Sequence, residues 1–267
     1  MTEAEGGGRA ERWRRLLDLV AERTRLGVDE AARELGVSAA TIRRDFAALA
    51  DQQLATRTHG GIVATSVAYE LPARYRATST PAHKQRVADA AAELVSIGSV
   101  VGINGGTTTT AAARALSIRE SLVTQSEDDQ VTLVTNALNI ATELVLRPHL
   151  RTICIGGMAR AESYELYGPY ASRVLDKLRL DLLLLGVDAL TVDGGAQCRH
   201  LGEAGISAEM VSRAGEVVVV ATHEKLTRTA LAEICPIGEI DRLITDDAAD
   251  AATVAAVRAA GVTVDLV

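Results

Sequence analysis

Aromatic residues, cysteines and long apolar runs are all scarce in this sequence. One Phe and one Trp occur in 267 residues, which argues against an aromatic surface that stacks single-stranded nucleic acid. The cysteines Cys154, Cys198 and Cys235 are odd in number and far apart, so we predict reduced core thiols and no disulfide framework. No segment approaches the ~20 apolar residues of a membrane helix, and the first residues lack a signal-peptide core. We therefore expect a cytoplasmic protein with no membrane partner.

Charge is distributed unevenly along the chain. The net charge is −7, yet the first 65 residues hold ten arginines, no lysine and ten acidic residues. The acidic excess therefore lies after them. Pro72 and Pro81 then interrupt any helical period within 66–83. We predict a small N-terminal domain over 1–65, a linker over 66–83 and a larger domain over 84–267.

The N-terminal domain is predicted to contain three helices. The first, over 9–24, has an apolar face made of Trp13, Leu16, Leu17 and Val20. Asp29 is predicted to cap a short second helix that ends at Gly36, a residue suited to a left-handed turn. Ser38 is predicted to cap the third helix. Two helices joined by a short glycine turn are the core of a helix–turn–helix motif.

The third helix has two contrasting faces. Its apolar face comprises Ile42, Phe46 and Leu49. On the opposite face Arg44 lies between Ala40 and Ala47, with Arg43 beside it. Small neighbours let such a helix enter a major groove, where arginine pairs with guanine or reaches phosphates. A doubled arginine is equally compatible with a solvated surface, so spacing alone leaves both readings open.

The run LATRTHGGIVA, residues 54–64, predicts a wing beside the third helix. It reads as two short extended segments about a turn, in which Gly60 and Gly61 are free to take positive φ. Arg57 and His59 are placed to touch backbone phosphates.

The region after the linker alternates apolar runs with helical patterns. Apolar, β-branched runs occupy 99–104, 131–136, 151–157, 180–187, 216–222, 241–247 and 262–267. Helical patterns occupy 84–96, 107–116, 137–147, 169–178, 203–214 and 249–260. This alternation predicts an α/β fold with a mainly parallel sheet covered on both faces. Polar residues follow several of the strands, where such sheets bind ligands.

The stretch GINGGTTTTAAARAL, residues 102–116, is the sharpest of these polar signals. A strand that runs into two glycines and four threonines at the start of a helix offers backbone N–H groups and hydroxyls to a phosphate. The alternative is a capped turn that binds nothing. The stretch is neither a Walker loop nor a dinucleotide motif, which argues against a nucleoside triphosphate. The histidines have no metal-ligand spacing, and we expect neither a metal nor a cofactor.

Several segments resemble the DeoR family of bacterial transcription regulators. VSAATIRRDFAAL followed by RTHGG is similar, nearly residue for residue, to the family's winged helix–turn–helix signature. The GTTT loop, TNALNIA, IGG, LGVD, THEKL and LITD occur in the family's order and spacing. The resemblance implies a winged helix–turn–helix domain that binds double-stranded operator DNA. It also implies a C-terminal domain, similar in fold to ribose-5-phosphate isomerase, that binds a phosphorylated sugar.

The resemblance also implies roles for individual residues. The implied DNA contacts are Ser38, Thr41, Arg43, Arg44, Arg57 and His59. We expect Asp45 to hold a neighbouring arginine, because a carboxylate repels phosphate.

For the effector, the phosphate would be held by Gly105, Gly106, Thr107, Thr108 and Thr109, with Lys84 and Lys225 as counter-charges. The sugar hydroxyls would be bound by Asn136, Asp188 and Glu203. Lys84 is also compatible with a solvated residue at a helix start, and Glu203 with a simple helix cap.

Two departures from the family pattern bear on the effector. Asn104 precedes the loop at a position where the family has an aspartate. Thr222, at the end of a later strand, also occupies a position where the family has an aspartate.

We expect a regulator, commonly a repressor in this family, that acts as a homo-oligomer on paired operator half-sites. The alternatives are a sugar-phosphate isomerase with an accessory DNA-binding domain and a regulator that responds to a protein partner.

Overall fold

The computed structural model describes residues 12–13, 15–16, 19–20, 23, 25–51, 55–58, 60–64, 81–124 and 126–267. The chain divides into two compact units, Met1–Arg76 and Ala77–Val267. His59 of the predicted wing and residues 66–80 of the predicted linker lie outside the described residues. Within the described residues, no helix is long and apolar enough to cross a membrane.

The N-terminal unit combines helices with a small antiparallel sheet. Helical positions between residues 12 and 23 precede helices α1 (Val28–Leu35) and α2 (Ala39–Asp51). The strands are β1 (Arg25–Gly27), β2 (Ala55–Thr58) and β3 (Gly61–Ala64), in the order β1-β3-β2. The core includes Leu16, Val20, Leu26, Ile42, Phe46, Leu49 and Ile62. The apolar face predicted for the third helix is therefore buried, as are Leu16 and Val20 of the first helix, in which Trp13 is partly buried and Leu17 lies outside the described residues.

The start of α1 differs from the prediction, in which Asp29 caps the helix. The N-cap is Gly27, the last residue of β1, and Asp29 lies in the first helical turn. Because β1 runs directly into the helix, the N-cap position falls two residues before Asp29, the first good capping side chain. Glu30 compensates, since its carboxylate accepts the Gly27 N–H at 3.5 Å. The end of α1 is as predicted, with Gly36 left-handed at φ 64°.

The C-terminal unit is built on a seven-stranded parallel sheet, which confirms the predicted α/β class. Its strands are β4 (Val100–Ile103), β5 (Val131–Thr135), β6 (Leu150–Cys154), β9 (Leu180–Leu185), β12 (Ala214–Val220), β14 (Arg242–Thr245) and β15 (Thr263–Leu266). The order across the sheet is β15-β14-β12-β9-β4-β5-β6, and each neighbouring pair is parallel. The helices are α3 (Ala82–Glu93), α4 (Thr107–Ser117), α5 (Leu138–Leu144), α6 (Pro169–Leu175), α7 (Leu201–Arg213) and α8 (Ala251–Ala259).

Strand β9 explains why helices cover both faces of this sheet. Leu183 and Leu185 belong to one buried cluster, which also contains residues of α6, α7 and α8. Leu182 and Leu184 belong to a second cluster, which contains residues of α3, α4 and α5. Successive side chains of a strand point to opposite faces, so an uninterrupted leucine run fills two cores.

Short strands add to this framework beyond those predicted. A hairpin joins β7 (Met158–Ala159) to β8 (Leu166–Tyr167). A second antiparallel sheet consists of β10 (Ala189–Thr191), β11 (Gly195–Cys198) and β13 (Ala232–Cys235). The expectation of core thiols is wrong for Cys154, which is exposed, while Cys198 and Cys235 are buried. Cys154 ends the edge strand β6, which has a neighbour on one side only.

Candidate functional site

The outer face of α2 carries the predicted arginine pair. Arg43 and Arg44 are exposed, and neighbouring Ala40 is exposed as well. Ser38 serves as the predicted cap, since its Oγ accepts the Thr41 N–H at 3.2 Å and lies 3.0 Å from Thr41 Oγ1. The helix therefore presents two guanidinium groups without bulky apolar neighbours on the same face.

Asp45 lies on the other side of α2 and holds an arginine, as expected. The partner is Arg12, whose Nε donates to Asp45 Oδ2 at 2.6 Å. The indole N–H of Trp13 donates to the other carboxylate oxygen at 2.9 Å. Asp45 is buried, with 3% of its surface exposed. It joins α2 to the first helical segment and leaves Arg43 and Arg44 to the surface.

The hairpin β2–β3 corresponds to the predicted wing. Arg57 is exposed on β2, opposite Ile62 of β3. Gly60 takes a positive φ of 85°, as predicted, whereas Gly61 belongs to β3 and does not. Gly61 is needed for another reason, because a Cβ there would overlap the carbonyl oxygen of Leu26 in β1.

In the C-terminal unit, the strand order reverses between β4 and β9. From β4 the chain continues outward to β5 and β6, and from β9 it continues to β12, β14 and β15 on the other side. A reversal of strand order is the place where parallel sheets of this class bind ligands, at the carboxyl ends of the strands. The threonine loop follows β4, and Gly186 to Asp188 follow β9.

The threonine loop forms a tight start to α4. Gly106 is the N-cap, with φ 149°. The hydroxyls of Thr109 and Thr110 donate to its carbonyl oxygen at 3.2 and 2.6 Å, and Thr110 is further bound by Asn139 Nδ2 at 2.9 Å. Thr107 is partly exposed. The first turn of α4 is thus fixed before any ligand arrives.

Two lysines lie at this loop. Lys84 Nζ donates to Thr107 Oγ1 at 3.1 Å, and Lys225 Nζ lies 3.5 Å from Asp188 Oδ1. Burial lowers the pKa of Lys84, and so does the positive charge of Lys225. The chain contains only three lysines. Two of them, Lys84 and Lys225, are 141 positions apart in the sequence but close enough in the fold to repel each other. The positive end of α4 and two ammonium groups favour an anion.

Asn136 and Glu165 form a buried polar pair beside the loop. Asn136 Nδ2 donates to Glu165 Oε2 at 3.0 Å, and Asn136 Oδ1 is buried without a hydrogen-bond partner. Burial raises the pKa of Glu165 to about 7, helped by the negative charge of Glu203, although hydrogen bonds from Asn136 and the Gly105 backbone oppose the shift. The Gly105 amide, assigned to the phosphate from the sequence, therefore contacts a carboxylate here.

Glu203 and Asp188 are both engaged by positive or donor groups. Glu203 accepts from Arg160 Nη1 at 3.1 Å and from Ser163 Oγ at 2.5 Å. Asp188 accepts the Arg199 backbone N–H at 3.1 Å in addition to its contact with Lys225. The helix cap of α7 is His200, whose Nδ1 accepts the Glu203 N–H. Glu203 is therefore an ion-paired carboxylate in the first turn of α7, and its side chain does not act as the cap.

The two departures from the family pattern have different structural outcomes. Asn104 Oδ1 accepts the Gly186 N–H at 2.6 Å, and Asn104 Nδ2 donates to the Gly186 carbonyl at 2.9 Å. An aspartate accepts the first bond but cannot donate the second. Thr222 is buried beside His223, whose ring and backbone N–H both bind Asp246, at 2.6 and 2.8 Å.

Several residues at this end of the sheet were not predicted from the sequence. They are Thr110, Asn139, Arg160, Ser163, Glu165 and Asp246. A signal existed for Asp246, which follows β14 in the same way that Asn136 follows β5. Glu165 and Arg160 lie on the short hairpin around β7 and β8, for which the sequence gives no periodic pattern.

Comparison with known families assigns both units. Residues 12–67 match the DeoR-like helix-turn-helix domain, and residues 79–247 match the DeoR C terminal sensor domain. The chain therefore belongs to the DeoR family.

Similar proteins span nearly the same length. The HTH-type transcriptional regulator GlpR of Haloferax volcanii is 36% identical, with 96% of each chain covered. The HTH-type transcriptional repressor CsqR of Escherichia coli is 32% identical, over 94% of this chain and 92% of that protein. The glycerol-3-phosphate regulon repressor of Escherichia coli is 29% identical, over 86% and 88% respectively.

Among solved structures, ribose 5-phosphate isomerase A from Methanocaldococcus jannaschii aligns with 54% of this chain and 53% of its own. The sequence identity is 20% and the TM-score is 0.37. The α/β class of the C-terminal unit rests on its seven parallel strands.

Proposed function

We propose that this protein is a DNA-binding transcriptional regulator, acting as a repressor, that a phosphorylated sugar or related phosphometabolite controls. The observation that carries the proposal is the exposed Arg43–Arg44 pair on α2, behind a glycine turn and beside a hairpin with exposed Arg57. The three curated relatives described above are named as a transcriptional regulator and repressors.

On the DNA side, α2 is the element that enters the major groove. Arg43 and Arg44 supply base or phosphate contacts, Thr41 and Arg57 supply backbone contacts, and Ser38 holds the start of the helix. His59 remains part of the proposed wing. Operator half-sites are read by paired domains, so we propose a homo-oligomer.

On the ligand side, the sensor unit binds an anion at the threonine loop. Thr107, Thr108 and the Gly106 amide lie at the positive N-terminal end of α4, and Lys84 and Lys225 supply positive charge. Asn136 has an unpartnered buried oxygen suited to a sugar hydroxyl. One of the relatives is named for the glycerol-3-phosphate regulon, which fits a small phosphorylated ligand for this chain.

An isomerase needs a positioned base, and the candidates for that role are Glu203 and Asp188. Glu203 is paired with Arg160, and Asp188 contacts Lys225 and the Arg199 amide. Both carboxylates are therefore already engaged by cations and N–H donors of the protein itself. The regulator is favoured over the enzyme because the relatives described above are named as a transcriptional regulator and as repressors.

The test combines DNA selection with ligand release. The full-length protein is incubated with a random duplex pool at moderate salt, and the enriched duplex is compared with a shuffled one. We expect salt-sensitive preference for the enriched duplex, and phosphorylated sugars but not free sugars should change that binding. Equal binding to both duplexes contradicts the DNA role. Selective DNA binding without any response to phosphorylated compounds favours control by a protein partner instead.

A further inference from the structure

Glu165 lies where the threonine loop would receive an anion. Its side chain is buried, with 7% of its surface exposed. The Gly105 backbone hydrogen-bonds its carboxylate, and a Cβ on Gly105 would overlap Glu165 Cγ, Cδ and Oε1. Glycine is therefore required at 105 so that this carboxyl group can approach the loop. A side-chain acid occupies a backbone donor that the proposed ligand also needs.

The segment that carries Glu165 is held firmly in place. The Glu165 carbonyl accepts the Arg160 N–H at 2.9 Å, and the Leu166 N–H donates to the Asn136 carbonyl at 2.7 Å. Tyr164, immediately before it, is in the left-handed region at φ 61°, a conformation that non-glycine residues rarely adopt. The chain bends sharply there, and the bend directs Glu165 towards Gly105.

The charges around Glu165 oppose its ionised form. Glu203 and Asp188 both raise its pKa. Arg160 interacts electrostatically with Glu165, but it is ion-paired with Glu203 and Glu162. The titratable groups at this end of the sheet include Glu162, Asp188, Glu203, Glu224, Lys84, Lys225, Arg160, Arg199, His83, His200, His223, Asp246, Tyr167 and Cys198. Lys84 contacts Thr107, and Lys225 contacts Asp188.

We propose that Glu165 is a specificity-determining residue that couples anion binding to proton uptake. A doubly charged phosphate or sulfate enters the threonine loop as Glu165 takes one proton from solvent. The inference rests on the proposed ligand site.

The physical reason is the change in what Glu165 offers to a ligand. Ionised, it is an acceptor only and repels an incoming anion in a buried site of low dielectric. Protonated, it carries an O–H donor that can bond the anion, and the repulsion is gone. Its pKa of about 7 allows the exchange near neutral pH. Neutral sugars gain nothing from the proton, so the residue selects for anionic ligands.

The test uses sulfate, a dianion whose charge is constant in this range, with chloride at matched ionic strength as the reference. The apparent Kd of the full-length protein is obtained from the dependence of Tm on sulfate. Uptake of one proton makes the Kd rise towards tenfold from about pH 7.5 to about pH 8.5. We expect this rise in the wild type and less than about a twofold change in Glu165→Gln.

Glu162→Gln is the matched control, because Glu162 lies in the same segment but is exposed. It should keep the pH dependence of the wild type. All the histidines at this end of the sheet are present in every variant, so the difference between the two glutamine variants isolates Glu165. Calorimetry of the wild type in buffers with different ionisation enthalpies gives a second measurement, with about one proton expected per sulfate near pH 8.

The outcomes separate this inference from the proposed function. Sulfate binding without proton uptake, with the same pH dependence in the wild type and Glu165→Gln, overturns the role of Glu165 and leaves the anion site intact. If neither protein responds to sulfate beyond chloride even near pH 6, the threonine loop is not an anion site, and the proposed ligand role falls as well. Should Glu165→Gln fail to fold, the calorimetric proton count alone decides.

Discussion

The side chain of Asn104 holds the backbone of Gly186 in both directions, accepting its N–H at 2.6 Å and donating to its carbonyl at 2.9 Å. These residues follow β4 and β9, the strands between which the sheet order reverses. Asn104 also approaches Ser207 Oγ of α7 at 3.3 Å. One buried amide therefore joins the segments after β4 and β9, beside which we place the ligand.

Replacing Asn104 by aspartate should destabilise the sensor unit. The carboxylate would keep the bond from the Gly186 N–H but would face the Gly186 carbonyl without a donor. Burying such a mismatch costs on the order of 1–3 kcal/mol. Urea unfolding followed by circular dichroism measures the change, and stability equal to the wild type would mean that this position tolerates either residue. This variant also restores the family's residue, so its ligand preference is worth comparing.

Removing the charge of Glu165 should stabilise the protein at alkaline pH. The pKa of Glu165 is raised to about 7 in the folded protein, above its ordinary value of 4.5. The stability that it contributes is therefore complete at low pH and is lost as the pH rises through about 7. Glu165→Gln should be more stable than the wild type near pH 8, on the order of 1–3 kcal/mol, and similar near pH 4. A stability difference that does not change with pH would contradict the shift.

Arg44 should carry part of the sequence preference. If it reads a base, Arg44→Ala costs about 1–3 kcal/mol on the enriched duplex and relaxes the preference at one position. Fluorescence anisotropy with matched and altered duplexes measures both effects. Arg33→Ala is the control, because Arg33 is an exposed arginine of the same unit that belongs to α1 and not to α2. A uniform loss on every duplex would reduce Arg44 to a phosphate contact.

Lys84 should matter for charged ligands only. Lys84→Met removes the ammonium group that binds Thr107, and the loss of a charge-assisted contact is expected to weaken anion binding about 10–100-fold. Sulfate titration by thermal shift measures it. Lys177→Met serves as the control, since Lys177 is an exposed lysine on the same unit. DNA binding without ligand should remain unchanged in both variants, and sulfate affinity that survives in Lys84→Met would remove Lys84 from the site.

Asp45 should anchor the helices of the N-terminal unit. Asp45→Asn removes the charge that binds Arg12 at 2.6 Å and weakens the bond with the Trp13 indole. We expect a loss on the order of 1–3 kcal/mol. Trp13 is the single tryptophan of the chain, so its fluorescence reports on this unit during unfolding. Asp29→Asn, at an exposed position in α1, should change stability by less, and an equal effect of the two variants would contradict an anchoring role.

The main elements of the fold could be predicted because their signals are local. Each strand of the large sheet is a run of apolar residues. Because both faces of the sheet are buried, these strands do not alternate apolar with polar residues, and a run such as Leu180–Leu185 stands out in the sequence. The cap by Ser38 and the turn at Gly36 could also be predicted, because the side chain or backbone conformation acts within a few residues. Strands as short as Met158–Ala159 carry no period, and they were missed for that reason.

The candidate site could be predicted only in part, because its contacts join distant segments. The threonine loop is contiguous and was predicted as a ligand site from its own residues. Glu165 meets Gly105 across 60 positions of sequence, and nothing near Glu165 indicates that the bend at Tyr164 directs it there. Asp45 was expected to hold an arginine, but its partner Arg12 lies 33 positions earlier. The kinds of side chain at the site could be predicted from the sequence, but the distant residues that contact each other could be identified only from the structure.

The reversal of strand order between β4 and β9 has a consequence for how the protein is made. Strands β4, β5 and β6 come from residues 100–154, so this half of the sheet leaves the ribosome before β9 does. Until residues 180–185 follow, the β4 edge has no partner there. An unpaired strand edge invites pairing with other chains. The β4 edge beside the proposed ligand site is thus open to wrong pairing until β9 has been made.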